Sequence, residues 1–262
     1  MRNAFITIVA TLFVAGTANA AELGGSVGVE VTENAAGNYV AETTLGFGAT
    51  ADTDAGLAFG GFTFESVDSG NLTVDEWQVG IALPAATLTF GDQGDIFVGN
   101  DFEIVGGDTL ANPVSSHESL IVEAGAAAVL VGFTDITTDI GDVENVQASY
   151  TVASGQIGVT AVGDYNIDSE NWIVGAKADA KLGEFAVGGI VTYADATEAV
   201  GYEASAGYSF VTAFVNGDDA DALQNVGAGV AYDVNGLNLY AEGTYNIDTE
   251  ANSVGAGVSF SF

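Results

Sequence analysis

Carboxylates dominate the chemistry of this chain. Asp and Glu total 36 against 3 Lys and Arg, with one His and no Cys in 262 residues. The acids gather in two kinds of place. One is the stretch from Asp92 to His117, where Asp92, Asp95, Asp101, Glu103 and Asp108 are spaced among glycines. The other is a set of short loops, of which Asp218-Asp219-Ala220-Asp221 is the densest. A surface of one sign concentrates counter-ions, and several carboxylate oxygens together can hold Ca²⁺. No loop matches a full calcium-binding template, so solvated acids are the favoured reading of Asp218, Asp219 and Asp221. Ca²⁺ remains the one possible cofactor. Nucleophilic chemistry has a single candidate, His117 beside Ser115 and Ser116, and neighbours in sequence are not a triad. An enzyme is therefore not expected. Nucleic acid is excluded as a partner, because binding it needs a basic footprint.

The elements that must position these acids alternate with period two, the mark of β-strands. The C-terminal stretch puts Val254, Ala256, Val258, Phe260 and Phe262 on one face, and Ser253, Gly255, Gly257, Ser259 and Ser261 on the other. Leu23 to Val31, Tyr39 to Phe47 and Val74 to Ala82 behave alike. Gly60-Gly61 interrupts the next alternation and predicts a bulge. With 36 Gly and 2 Pro, the chain reads as about sixteen strands. The non-apolar face collects Glu30, Glu42, Glu76, Asp164, Asp179, Glu203 and Glu242, with Lys177 and Lys181 beside Asp179 on one strand.

Residues 1–20 resemble a secretory signal: Arg2, an apolar run from Ala4 to Gly16, then Ala18-Asn19-Ala20 as a cleavage site. They are set apart from the fold, leaving 21–262 as one domain. No run of about 18 apolar residues is present, so no transmembrane helix is expected.

Loop lengths sort by parity. Thr32–Asn38, Ser66–Asn71, Asp92–His117, Thr134–Asn145, Asn166–Asn171, Ala194–Ala199, Asn216–Asn225 and Asn246–Ala251 are long and acidic. The turns between them, at Leu83-Pro84, Gly125, Gly155, Gly183 and Asn235-Gly236, are short. A soluble sandwich has no reason to sort its loops this way, whereas an outer-membrane barrel does. Tyr39, Tyr165, Tyr193, Tyr202, Tyr232 and Tyr245 sit near strand ends on the apolar side, where interfacial girdles belong. The expected fold is an all-β, transmembrane, antiparallel up-and-down β-barrel.

The strand count, the terminal Phe262 and the long fifth loop resemble the general trimeric porins of Gram-negative bacteria. Leu88-Thr89-Phe90-Gly91-Asp92-Gln93-Gly94-Asp95-Ile96-Phe97 resembles the start of the constriction loop in the alphaproteobacterial type. The resemblance implies an inward-folding constriction loop between strands five and six, lined here by Asp92, Asp95, Asp101, Glu103 and Asp108. It implies closure and assembly through Phe260 and Phe262, a homotrimer, outer-membrane lipid around the wall, and small hydrophilic solutes within. One departure is plain: the family faces its acidic loop with arginines, and this chain has none after Arg2. The carboxylates of the lumen face then predict a preference for cations in passive diffusion. The alternative is a non-conducting structural or adhesive outer-membrane barrel.

Overall fold

The computed structural model describes residues 21–33, 39–67, 73–92, 96–97, 118–134, 142–220 and 223–261. The proposed signal, residues 1–20, lies outside them. Sixteen strands account for most of the described chain. They are β1 (Ala21–Glu33), β2 (Tyr39–Asp52), β3 (Leu57–Val67), β4 (Thr73–Ala82), β5 (Thr87–Asp92), β6 (Glu118–Ala124), β7 (Ala127–Phe133) and β8 (Val143–Ser154). The second half holds β9 (Ile157–Asn166), β10 (Trp172–Leu182), β11 (Phe185–Ala194), β12 (Ala199–Tyr208), β13 (Val211–Asp218), β14 (Asn225–Val234), β15 (Leu237–Asn246) and β16 (Ala251–Ser261). Each pairs antiparallel with its sequence neighbours, and β1 pairs with β16, so the sheet closes into a barrel. Closure leaves no unpaired edge, which is why so long a meander needs no second sheet to cover it.

The alternation places the side chains. Along β16, Val254, Ala256, Val258 and Phe260 point outward, while Ser253, Gly255, Gly257 and Ser259 point inward. Cross-strand register carries the same face around the wall: Val258 lies between Val29 and Leu239, and Phe260 between Val27 and Leu237. The outer face presents Val29, Val191, Val230, Leu239 and Val258, all exposed. Outward rings gather toward the strand ends, where Trp172 meets Tyr193, Phe185 meets Tyr208 and Phe210 meets Tyr232. Across β2 and β3, Phe47, Phe62 and Phe64 pack as a further outward cluster.

The bulge expected at Gly60-Gly61 is elsewhere. Those glycines keep register with Ala49 and Gly48 on one side and with Val79 and Gln78 on the other. The shift falls between Thr63 and Phe64 against β4. Gly61 is needed for close approach instead: a Cβ there would meet the Phe47 carbonyl oxygen at 2.8 Å. A second shift, at Gly132/Phe133, carried no sequence signal.

The two rims are built differently. At the short-turn rim Gly125, Gly155 and Gly183 take positive φ, and Asn235-Gly236 do so together, as a two-residue hairpin with an Asn-Gly pair requires. At the opposite rim three hairpins place a glutamate in the left-handed region: Glu170 (φ 57°), Glu198 (φ 53°) and Glu250 (φ 55°). Two of these hairpins share a local sequence. Tyr165-Asn166-Ile167-Asp168-Ser169-Glu170 matches Tyr245-Asn246-Ile247-Asp248-Thr249-Glu250 at all but the hydroxyl residue. They also share a hydrogen-bond pattern. Asn166 Oδ1 accepts from Ser169 N–H and Oγ, and Asn246 Oδ1 accepts from Thr249 N–H and Oγ1.

Candidate functional site

The candidate site is the inner wall, which has three parts. The first is acidic. Glu30 on β1 is directly paired with Glu42 on β2. Glu65 is paired with Thr44, and Glu76 with Thr63, on the same inward face. Glu30 and Glu42 are half-buried, and Glu76 is exposed. Glu30 has an ordered partner: Tyr240 Oη on β15 donates to Glu30 Oε2 at 2.7 Å. Tyr240 gets there by lying across Gly257 of β16, which is paired with both residues. A Cβ at 257 would collide with the ring. Phe59 lies across Gly80 and Phe214 across Gly227 in the same way. Gly257→Val should therefore lower thermal stability in detergent by about 1–3 kcal/mol, the usual cost of overpacking. Gly158→Val, with open space around its Cβ position, should stay near the parent.

The second part is covered. On β6–β9 and β11–β13 the inward side chains of the long-loop half are largely buried: Leu130 is 0% exposed, Gln147 1% and Ile190 4%, whereas those of β10 between them are half-buried. Two residues between β5 and β6 lie against this wall. Ile96 N–H donates to Gln147 Oε1 at 2.9 Å, and Phe97 packs on Val162 and Ile190. Amides tie the surrounding strands together. Asn145 Nδ2 donates to Asp164 Oδ1 at 2.7 Å. Asn246 donates to Asn225, which donates to Asn216, across β15, β14 and β13. The third part is a cavity of about 940 Å³ at the short-turn end. Small residues such as Gly158, Gly188 and Ser205 line it, with Asp179, Lys181 and Glu242.

The structure places the sequence candidates as follows. Glu30, Glu42, Glu76, Asp164, Lys177, Asp179, Lys181, Glu203 and Glu242 are all on the inward face by register. Only Glu30 and Glu42 are brought side by side. Glu203 is 4% exposed and belongs to the covered wall. Asp92 ends β5 opposite Trp77, which puts it in register with the outward face, although its end of the strand borders an inner cavity with Glu76 and Gln78. Asp95, Asp101, Glu103, Asp108, Asp221, Phe262 and the trio Ser115, Ser116 and His117 lie outside the described residues. Phe260 is outward beside the β1–β16 closure. Asp218 Oδ1 accepts Ala220 N–H, and Asp219 Oδ1 accepts Val200 N–H. Among the described residues no three metal-capable side chains converge. Sequence reasoning missed Glu65, Gln147 and Tyr240, and it named Phe97 only as part of the constriction-loop resemblance. Tyr240 carried a signal, as a large inward ring on a strand whose partner offers Gly257.

No protein-family model matches the chain, and no curated protein sequence matches it. Solved structures do. A loop L8 deletion mutant of OmpT, an outer membrane protein of Vibrio cholerae, aligns at 16% identity over 93% of this chain and 99% of that one, with a TM-score of 0.67. A mutant of the Rh. blastica porin aligns at 15% identity over 93% and 100%, with a TM-score of 0.67. The anion-selective porin from Comamonas acidovorans aligns at 11% identity over 93% and 99%, with a TM-score of 0.64. The fold is the porin barrel. Identities this low establish architecture alone. Neighbours with that barrel include one described as anion-selective, so ion preference must be argued from the residues of each wall.

Proposed function

We propose that this chain forms a water-filled channel in the outer membrane of a Gram-negative bacterium and passes ions and small hydrophilic solutes by passive diffusion, with a preference for cations. One observation carries the reading: a closed sixteen-strand wall is apolar outside and bears carboxylates on its inward face. Soluble monomers rarely expose apolar area on such a scale. A closed barrel satisfies every strand hydrogen bond and so can sit in lipid. About sixteen strands leave an aqueous lumen, where about eight would be filled by their own side chains.

Cation preference follows from the balance of charge. The chain carries 36 acids and 3 basic residues, and the inward carboxylates raise local cation concentration. The contacts of Ile96 and Phe97 with the inner wall support a constriction formed by the end of β5 and the segment after it, with Asp92, Asp95, Asp101, Glu103 and Asp108 along it. Passive diffusion needs no cofactor and no catalytic residue. Removal of residues 1–20 on export and assembly as a homotrimer complete the proposal.

The test is planar-bilayer recording of the refolded mature chain in a potassium chloride gradient. Stepwise conductance with a reversal potential of the cation-selective sign is expected. An anion-selective sign would overturn the preference. Insertion without steps would favour a structural or adhesive barrel.

A further inference from the structure

We propose that the cavity at the short-turn end holds a subsite for small zwitterions, molecules bearing one ammonium and one carboxylate group, built on Asp179 and Lys181 of β10. The inference rests on the channel reading and names a solute class that an acidic wall alone does not select. Beyond Arg2 the chain has only two basic residues, Lys177 and Lys181, both on β10. Lys177 lies farther from the short-turn rim and is half-buried, whereas Lys181 is exposed and borders the cavity. Asp179 stands between them on the same inward face and is exposed as well. Residues two apart along a strand are separated by about 7 Å. Asp179 and Lys181 therefore present opposite charges within reach of one small molecule.

The surroundings leave both charges free for a guest. Neither side chain has a hydrogen-bonding or ion-pairing partner among the described residues. Asp179 is in register with Gly158 on β9 and Gly188 on β11, so no side chain stands beside it on either neighbouring strand. The position a Cβ would take at Gly158 opens onto empty space. From Lys181 the register row runs through Ala186, Gly207, Thr212 and Gly229 before it meets another charge, Glu242 on β15. Five strand spacings amount to about 24 Å, too far for one small solute to touch both ends, so Asp179 is the partner that matters. An exposed pair of this kind gains little from its own attraction, and a guest displaces it cheaply. A free anion is repelled by the surrounding carboxylates, and a free cation is drawn to every acidic stretch of the wall alike. A zwitterion carries no net charge, and here its carboxylate meets the Lys181 ammonium while its own ammonium meets the Asp179 carboxylate. Such contacts are weak enough to release the solute, as permeation requires.

The probes are β-alanine and lactamide, isomers of one formula, the first zwitterionic and the second neutral. Uptake of each from dilute solution would be measured into vesicles carrying the refolded mature chain, with the rate of protein-free vesicles subtracted. The ratio of the two rates cancels differences in refolding yield. Two contacts of surface strength should favour β-alanine by about threefold in the parent. Lys181→Gln and Asp179→Asn should each bring the ratio close to unity, and Lys181→Arg should keep it. The two neutralising variants shift net charge in opposite directions, so a general charge effect cannot lower the ratio in both. A parent ratio of unity, or a raised ratio that survives in either neutralising variant, would overturn the subsite. A parent that passes neither isomer removes the channel reading itself, whereas one that passes both equally removes the subsite alone.

Discussion

Replacing Glu30, Glu42 and Glu76 together by glutamine is expected to remove most of the cation preference while leaving the channel open. Glutamine keeps the size and polarity of the wall and removes only charge. Two unit charges about 4 Å apart interact by about 1 kcal/mol in water, and screening at ~0.1 M salt confines the effect to about 10 Å. Three carboxylates along one path, partly screened, then supply about 2 kcal/mol of discrimination. That corresponds to roughly a tenfold change or more in the cation-to-anion permeability ratio. The reversal potential in a potassium chloride gradient should move toward zero, and most strongly in dilute salt. Glu203→Gln should do much less, because that carboxylate sits in the covered wall. A triple variant with its preference intact would mean that acids elsewhere set selectivity.

The second large effect concerns the outer face. Val258→Arg should destabilise the barrel, by up to the about 2–4 kcal/mol that a cation costs at mid-bilayer on a barrel surface and by less toward the rim. Val258 sits between Val29 and Leu239, with no inward partner to reach. Ser259→Arg, one residue along, faces the lumen between Gly28 and Asn238. It should keep nearly full stability and weaken cation preference. Urea unfolding in lipid vesicles measures both. Equal losses at the two positions would contradict the assignment of faces, since a strand shifted by one residue exchanges them.

These contrasts can be drawn because the alternation is so regular. The strict alternation of Val254 to Ser261 is enough to assign the two faces of β16. The sixteen strands and the sorting of loops by length were readable for the same reason: period two and loop length are local properties. What escaped was non-local. The Tyr240–Glu30 hydrogen bond joins residues 210 positions apart and depends on Gly257 lying between them. Gln147 is a partner of Ile96 only because the closed sheet sets β8 three strands from β5 around the wall. The bulge was misplaced because Gly60-Gly61 breaks the alternation of side chains without breaking the register of backbones, and sequence reports only the former. Lumen carboxylates could be assigned to a face. Which of them share open space could not, because coverage of β6–β13 is set by contacts that no strand encodes alone.

The matched hairpins at Tyr165–Glu170 and Tyr245–Glu250 bear on the history of the barrel. Their likeness extends into the following strands, where Val174-Gly175-Ala176 corresponds to Val254-Gly255-Ala256. Two stretches with the same turn chemistry, the same left-handed glutamate and the same strand phase are interchangeable parts. A hairpin is also the smallest insertion that returns the chain to the rim it left, which is why such barrels carry even numbers of strands. Duplication of one hairpin widens the ring by two staves without disturbing the register of the rest. A gene built this way evolves its aperture in fixed increments.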